Sequence, residues 1–244
     1  MPERIQKLIA NAGYGSRRWA ERLIEQGRIS INNQEAKLGD KALITDKVTI
    51  DGRLIDLERY SEEETKVLIL NKQAGIICSN KDEEGRKSVF DFLPENTRWV
   101  MVGRLDLNTS GLLLFTNNGD LANKLMHPSS EIDREYAVRV LGKVGDEHIK
   151  KLTTGIELED GFAKFHRLTL GGGEGANRWY HVVLREGRNR EVRRLWEALD
   201  FKVSRLIRTR FSDIRLPDKL RANQSEYLKP KQVQALLKSV DLLD

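Results

Sequence analysis

Residues 103–120, GRLDLNTSGLLLFTNNGD, place an arginine and an aspartate just before an apolar run. Arg104 and Asp106 precede residues 111–116, whose composition indicates a buried strand. A charged pair at this point has two explanations. It either forms a turn that satisfies its own backbone, or it holds a carboxylate in a cleft, where the carboxylate acts as a base or a nucleophile.

A second group of charged residues, at positions 185–210, carries an excess of cations. It contains nine Lys or Arg and four Asp or Glu, so its excess equals the net charge of +5 of the whole chain. Such a local cationic field favours a polyanion, for example nucleic acid. For a charge run alone, a solvated helix face with ion pairs inside the helix is the preferred explanation.

A third group lies near the N-terminus, in the segment GSRRWAERLIEQGRISIN. It places Arg17, Arg18 and Arg22 on one short predicted helix, with Arg28 just after it. Cations that share an exposed face suit phosphate groups. The same helix carries two glutamates that would neutralise them on an ordinary protein surface.

The elements around these groups indicate two domains in the 244 residues. Apolar spacing predicts helices over residues 5–12 and 17–26, with Ser16 as a cap. Residues 28–32 alternate as a strand does, and KVTIDGRLI predicts two strands joined by an Asp-Gly turn. An acid-rich stretch near residues 57–66 reads as a linker, so we expect domains at 1–60 and 61–244.

The larger region is dominated by strand-like segments. Helical spacing is confined to residues 119–127 and 188–199. Strands that outnumber helices without strict alternation predict an α+β fold with a largely antiparallel sheet. The glycine-rich residues 171–177 lack the lysine of a phosphate loop and are expected to connect a hairpin. The strand-like segments cover residues 67–70, 99–102, 112–116, 135–141, 179–184 and 201–208.

Several classes of protein are disfavoured by the composition. No apolar run is long enough to span a membrane, and the N-terminus does not resemble a signal peptide. Cys78 is the single cysteine, so the chain has no internal disulfide and no Cys/His pattern of metal ligands. We expect a cytoplasmic protein without a bound metal.

Two sets of motifs resemble known families. Residues 3–52, with SRRxAExLIxxGRIxIN, resemble the S4 RNA-binding domain. The motifs GRLDxxTxGLLLFTxxGxLAxxLMHP, REYAVRV and EGRNREVRRLWEAL, in this order, resemble the RsuA-type pseudouridine synthases. The resemblance covers nearly the whole chain and departs from the family pattern at Gln73 (usually Pro), Asn118 (usually Asp) and Asp200 (usually Gly).

The resemblance implies a fold and a reaction. The fold is a small S4 domain of two helices plus a small sheet, followed by a synthase core whose mixed, largely antiparallel sheet is flanked by helices around a central cleft. The reaction is the isomerisation of uridine to pseudouridine in RNA, with the base flipped out of its stack. It involves no redox change and no external group transfer, so no cofactor is expected.

The resemblance also assigns roles to individual residues. Asp106 becomes the catalytic carboxylate, acting at the sugar C1′, at the C2′ proton or at C6 of the base. Arg193 is expected to pair with it, and Tyr136 to stack on the target base, although a lone tyrosine on a strand is more often part of a core. Val192 would pack against that ring, and Arg104 would fill the gap left by the flipped uridine. The remaining residues expected to bind RNA are Arg17, Arg18, Arg22, Arg28, Arg190 and Arg194.

The expected partner is ribosomal RNA, with 23S rRNA favoured, either free or in a pre-ribosomal particle. A small-subunit RNA or tRNA substrate is the main rival, and a monomer that binds no membrane is expected. Two other classes are an RNA-binding or ribosome-assembly factor with an inactive core, and a DNA-binding protein. The intact Asp106 motif argues against the first, and no pattern of a recognition helix supports the second.

Overall fold

The chain forms two units, residues 1–65 and 66–244, in a computed structural model. The structure describes residues 1–59, 64–79, 84–95, 97–173, 175 and 177–243. The expected domain boundary between residues 60 and 61, with residues 60–63 of the expected linker, lies outside the described residues and stays a prediction.

The first unit contains the two predicted helices, α1 (Ile5–Asn11) and α2 (Arg17–Glu25). Ser16 caps α2, because its Oγ accepts a hydrogen bond from Trp19 N at 3.1 Å. The predicted Asp51-Gly52 turn is confirmed, and both residues have positive φ, as a two-residue hairpin turn requires. The strands are β1 (Glu3–Arg4), β2 (Ile29–Ile31), β3 (Gln34–Glu35), β4 (Lys41–Ala42), β5 (Val48–Ile50) and β6 (Arg53–Ile55).

These strands form a four-stranded antiparallel sheet in the order β3-β2-β5-β6 and a separate pair, β1 with β4. One face of each helix is apolar and packs into a single core that includes Ile9, Leu23 and Val48. The opposite face of α2 carries the arginines. The unit therefore has two helices plus a small sheet, as the sequence predicted.

The second unit is built on a nine-stranded sheet within the described residues. Its helices are α3 (Gly119–Met126), α4 (Asp146–Thr154), α5 (Glu191–Glu197) and α6 (Pro230–Lys238), with 3-10 turns at Val89–Phe92 and Pro128–Ser130. Its strands are β7 (Val67–Lys72), β8 (Val100–Val102), β9 (Ser110–Thr116), β10 (Arg134–Leu141), β11 (Ile156–Leu158), β12 (Gly161–Ala163), β13 (Arg167–Gly172), β14 (Asn177–Leu184), β15 (Lys202–Phe211), β16 (Ile214–Arg215) and β17 (Ser225–Tyr227).

The sheet runs in the order β13-β14-β10-β15-β9-β7-β17, with β16 beside β15 and β8 beside β9. The pairing of β15 with β9 is parallel, and the other pairings are antiparallel. The separate pair β11–β12 is also antiparallel. A mixed, largely antiparallel sheet flanked by helices is the α+β architecture that the sequence predicted.

Both faces of β7 and β9 are buried, which explains their continuous apolar sequences. On β7, Leu68 and Leu70 pack into a first core with residues of α4 and α5, whereas Val67 and Ile69 pack into a second core with α3 and α6. The period of two residues in a strand puts alternate side chains into different cores. The first core borders the cleft described below.

Three departures from the family pattern have local explanations. Asn118 caps α3 as an aspartate would, because its Oδ1 accepts hydrogen bonds from the backbone N–H groups of Asp120 and Leu121, both at 3.0 Å. Gln73 forms a reciprocal pair with Asn223, in which the backbone N–H of Gln73 donates at 3.1 Å and its Oε1 accepts at 2.8 Å. Asp200 adopts a φ of 63°, a conformation that favours the usual glycine.

The glycine-rich segment connects β13 to β14 as a hairpin, as predicted, although residues 174 and 176 lie outside the description. Helices α4 and α6 and the strands β11, β12, β13 and β17 were not predicted. Each strand of this group is short or contains glycine or charged residues, so the alternating pattern is weak. No helix in the described ranges is long and apolar enough to cross a membrane.

Candidate active site

The segment between β8 and β9 carries Arg104 and Asp106. It begins with Gly103 at φ 73°, which glycine adopts without strain. Buried Leu105 anchors it in the first core, so Arg104 is exposed and Asp106 is half-buried. The segment forms a turn, in which Thr109 N donates to the Asp106 carbonyl at 3.0 Å, and Asp106 also lines a cleft, while its catalytic role stays a prediction.

Two buried cations hold the backbone of this segment. The first is Lys72 at the end of β7, whose side chain is fully buried. Burial lowers its pKa, and the charges of Cys78 and Asp106 oppose that shift. The second is Arg193 of α5, whose Nη2 donates to the Asn108 carbonyl at 2.9 Å. Lys72 Nζ donates to the carbonyls of Asp106 (3.1 Å), Leu107 (3.4 Å) and Thr109 (2.9 Å).

Four successive carbonyl oxygens before β9 are therefore bound by ammonium or guanidinium groups. Hydrogen bonds with a charged donor are stronger than neutral ones. The segment that carries Asp106 is consequently fixed from two sides, by β7 and by α5.

A cleft of about 460 Å³ lies beside this segment. Tyr136, on β10, lines it with only 9% of its surface exposed, and Val192 at the start of α5 lines it as well. Both side chains belong to the first core together with Leu105. The structure thus places Asp106 beside an apolar wall that can receive a flat ring. The predicted residues that line the cleft are Arg104, Asp106, Tyr136, Arg190 and Val192.

Arg193 does not form the direct ion pair that was expected. No nitrogen of its guanidinium lies within 4.0 Å of an acidic oxygen in the described part of the chain, since Nη1 donates to Val203 O at 3.0 Å and Nη2 to Asn108 O. Burial lowers its pKa, Arg190 adds to that shift, and Asp106 opposes it. Arg193 therefore acts on the site through the backbone two residues after Asp106, and its catalytic role stays a prediction.

Three other predicted RNA-binding arginines already have acidic partners. Arg28 contacts both carboxylate oxygens of Asp51 at 2.6 Å. Arg194 likewise contacts both oxygens of Asp160 at 2.8 Å, and Arg190 Nη2 contacts Glu197 at 3.0 Å. Phosphate would therefore have to compete with these carboxylates, and the RNA-binding role of the three arginines stays a prediction.

The arginines of α2 differ from these three. The alternative, neutralisation by the glutamates of the same helix, is not observed among the ion pairs of the described residues. Glu21 accepts instead from Gln6 Nε2 at 3.3 Å. All three arginines of this helix are exposed, and none forms an ion pair with the residues described; they are Arg17, Arg18 and Arg22.

Sequence reasoning missed four buried charged residues around the cleft. Strand parity was the available signal for two of them, because Lys72 follows Leu70 and Arg208 follows Leu206 on core-facing positions. The described residues contain no group of three or more His, Cys, Asp or Glu side chains that could hold a metal ion. The missed residues are Lys72, Arg134, Glu191 and Arg208.

The fold agrees with comparisons to known proteins. Residues 66–198 match the RNA pseudouridylate synthase family, and residues 3–48 match the S4 domain. The chain belongs to the RNA pseudouridylate synthase family and carries an S4 domain at its N-terminus.

Named relatives narrow the similarity further. Ribosomal large subunit pseudouridine synthase B of Yersinia pestis is 54% identical over 221 residues, which cover 89% of this chain and 70% of that protein. The protein of the same name from Escherichia coli (strain K12) is also 54% identical, with 89% of this chain and 76% of that protein covered. A crystal structure of a pseudouridylate synthase covers 96% of this chain and 99% of its own, with a TM-score of 0.67 and 25% identity.

Proposed function

We propose that this protein isomerises a specific uridine to pseudouridine in the 23S RNA of the large ribosomal subunit, with Asp106 as the catalytic carboxylate. The observation that carries the proposal is that Asp106, Tyr136 and Arg104 line one cleft. The names of the relatives support the choice of large-subunit RNA.

The reaction conserves every atom of the nucleotide except for exchanged protons. The bond from N1 of the base to C1′ of the sugar breaks, the base rotates, and a bond from C5 to C1′ forms. The proton on C5 leaves to solvent, and N1 gains one. Each of the three candidate first steps needs an ionised carboxylate at a fixed position; these steps are addition to C1′, removal of the C2′ proton and addition to C6. The segment around Asp106, which Lys72 and Arg193 hold in place, provides this position.

The other cleft residues divide the remaining tasks. Tyr136 and Val192 offer an apolar wall for the uracil ring, and the Tyr136 hydroxyl is free of hydrogen bonds to described residues, so it is available for proton transfer. Arg104 is exposed and charged, and it occupies the space that the base leaves when it is flipped. Flipping costs a few kcal/mol of stacking, so a group that replaces the stacked base lowers the barrier.

The S4 domain holds the RNA outside the cleft. Arg17, Arg18 and Arg22 bind phosphates through α2, and Arg28, Arg190 and Arg194 do so after exchanging their carboxylate partners. The proposal requires no cofactor. The monomeric state, the cytoplasmic location and the choice between free rRNA and a pre-ribosomal particle stay predictions from the sequence.

The test combines one substitution with two RNAs. Asp106→Asn should abolish tritium release from 5-labelled uridine in 23S rRNA while its RNA affinity stays near that of the wild type, because the amide is neither a base nor a nucleophile. Asp213→Asn, which changes an exposed aspartate, is the matched control and should keep full activity.

The rRNA comes from cells that lack the enzyme, and the assay contains a chelator. Turnover of Asp106→Asn near the wild-type rate would exclude the proposed role of Asp106. Modification of 16S rRNA alone, or activity that depends on an added cofactor, would exclude the proposed substrate and chemistry. RNA binding without any turnover would leave an RNA-binding factor as the function.

A further inference from the structure

Two buried arginines line the cleft without forming an ion pair with the residues described. Arg134 of β10 and Arg208 of β15 have 7% and 2% of their surface exposed. Both guanidinium groups lie 5.3 Å from the centre of the Phe211 ring, so both pack against the same phenyl ring. Their positions are consequently fixed before any ligand arrives.

The hydrogen bonds of these arginines are incomplete. Arg134 uses only Nη1, which donates to the carbonyls of Ile132 at 2.9 Å and Arg185 at 2.8 Å. Arg208 uses only Nε, which donates to Leu112 O at 2.7 Å, and its buried Nη2 has no partner among the residues described. Each guanidinium has five N–H donors, so several remain for an acceptor in the cleft.

The protein supplies too little negative charge at this place. Neither arginine forms an ion pair within the described ranges. Glu191 is the buried acid that acts electrostatically on Arg134, and its Oε2 accepts instead from the backbone N–H of Arg188 at 3.2 Å. The residues that line the cleft include five arginines and only three acids, which leaves an excess positive charge; they are Arg104, Arg134, Arg188, Arg190 and Arg208, with Asp106, Glu186 and Glu191. Such a charge is unfavourable unless a ligand balances it.

We propose that Arg134 and Arg208 form a phosphate subsite, which binds a phosphodiester of the RNA beside the target uridine. The proposal rests on the proposed function and adds a contact that fixes the register of the RNA strand. A phosphodiester has the charge and the acceptor geometry that forked arginine donors match.

The distances within the sheet favour a phosphate close to the reacting base. Tyr136 pairs with Arg208 across β10 and β15, and such opposite residues have Cβ atoms about 5 Å apart. Arg134 lies two residues from Tyr136 and lines the same cleft. A uracil held against Tyr136 therefore carries its 5′ or 3′ phosphate within reach of both guanidinium groups.

The experiment removes the charge from one phosphate at a time. A 23S rRNA fragment that contains the modified uridine is made with a neutral methylphosphonate at each position around that uridine. With wild-type protein, one position next to the target should weaken binding about tenfold, as expected for a charge-assisted contact. In Arg208→Gln, the unmodified RNA should bind about tenfold more weakly, and methylphosphonate at that position should cost less binding than it does in the wild type, because only Arg134 is left to contact that phosphate.

Arg205→Gln is the matched control, since Arg205 is exposed on the same strand and should respond to every methylphosphonate as the wild type does. Arg134→Gln and Arg208→Lys are the additional variants in case Arg208→Gln does not fold. Lysine keeps the charge but lacks the paired N–H donors of a guanidinium. The loss of binding in Arg208→Lys should therefore also be confined to the contact with that one phosphate.

Additive losses in the variants would overturn the subsite, and so would a wild-type scan in which no phosphate beside the target matters. Pseudouridine formation by wild-type protein on the unmodified fragment is measured in parallel. Turnover without a sensitive phosphate would reject the subsite alone, whereas absence of both turnover and binding would reject the proposed function.

Discussion

Replacing Lys72 by methionine tests the clamp that holds the segment around Asp106. Methionine fits the buried space of the lysine chain but has no ammonium group. In the wild type, Nζ lies within 3.4 Å of four carbonyl oxygens. These belong to Gln73, Asp106, Leu107 and Thr109.

The expected loss of stability follows from these contacts. The carbonyls of Asp106 and Leu107 keep a second donor, from Thr109 N at 3.0 Å and Gly75 N at 2.7 Å. The other two carbonyls lose a charged partner, at a cost of about 1–3 kcal/mol each. Removing a buried ammonium returns part of this energy. A net loss of about 2–3 kcal/mol lowers the melting temperature by roughly 5–10 °C in a unit of this size.

The assay is thermal unfolding followed by circular dichroism, with hydrogen exchange at the backbone N–H of Thr109 and Gly75 as the local readout. Both amides should exchange faster in Lys72→Met. Lys202→Met changes an exposed lysine of β15 and should shift stability by less than about 0.5 kcal/mol. Equal melting temperatures and equal exchange in Lys72→Met and wild type would show that the four contacts contribute no net stability.

Three further predictions concern the site and the domains. Arg193→Met should lower the single-turnover rate at saturating RNA by at least about tenfold, because the Asn108 carbonyl loses its charged donor. Arg193→Lys should retain more activity than Arg193→Met. Equal rates in the wild type and both variants would show that Arg193 does not hold the Asp106 segment in its active position. Glu191→Gln should change the pH dependence of stability, because burial raises the folded-state pKa of Glu191. The wild type should therefore lose stability relative to the Gln variant as pH rises from 4.5 through the raised pKa. A difference in melting temperature between the two proteins that does not change with pH would refute this. Deletion of residues 1–60 should leave a core that circular dichroism shows to be folded. In filter binding, this core should bind rRNA more weakly than the full chain and with a smaller salt dependence. Unchanged affinity would argue against the S4 domain as the unit that holds the RNA.

The sequence alone determined the local elements and the candidate residues with strong patterns. Three local features could be predicted from the sequence, because each depends on residues within a few positions of one another. They are the Ser16 cap, the Asp51-Gly52 turn and the apolar period of α5. The alternation along β10 likewise placed Tyr136 on the face shared with Val138. Helix α6 was missed because its buried residues, Val233 and Leu236, are too few to define a period.

Only the tertiary structure decided what the charged residues contact. Arg193 binds the carbonyl of Asn108, 85 residues away, and a backbone oxygen leaves no trace in the sequence because every residue has one. Arg194 forms an ion pair with Asp160, 34 residues away in the sequence. The carboxylate that balances its charge therefore lies outside its own helix. Burial of Lys72 and Arg208 in particular depends on which strands become neighbours, and that choice is made by packing of the whole sheet.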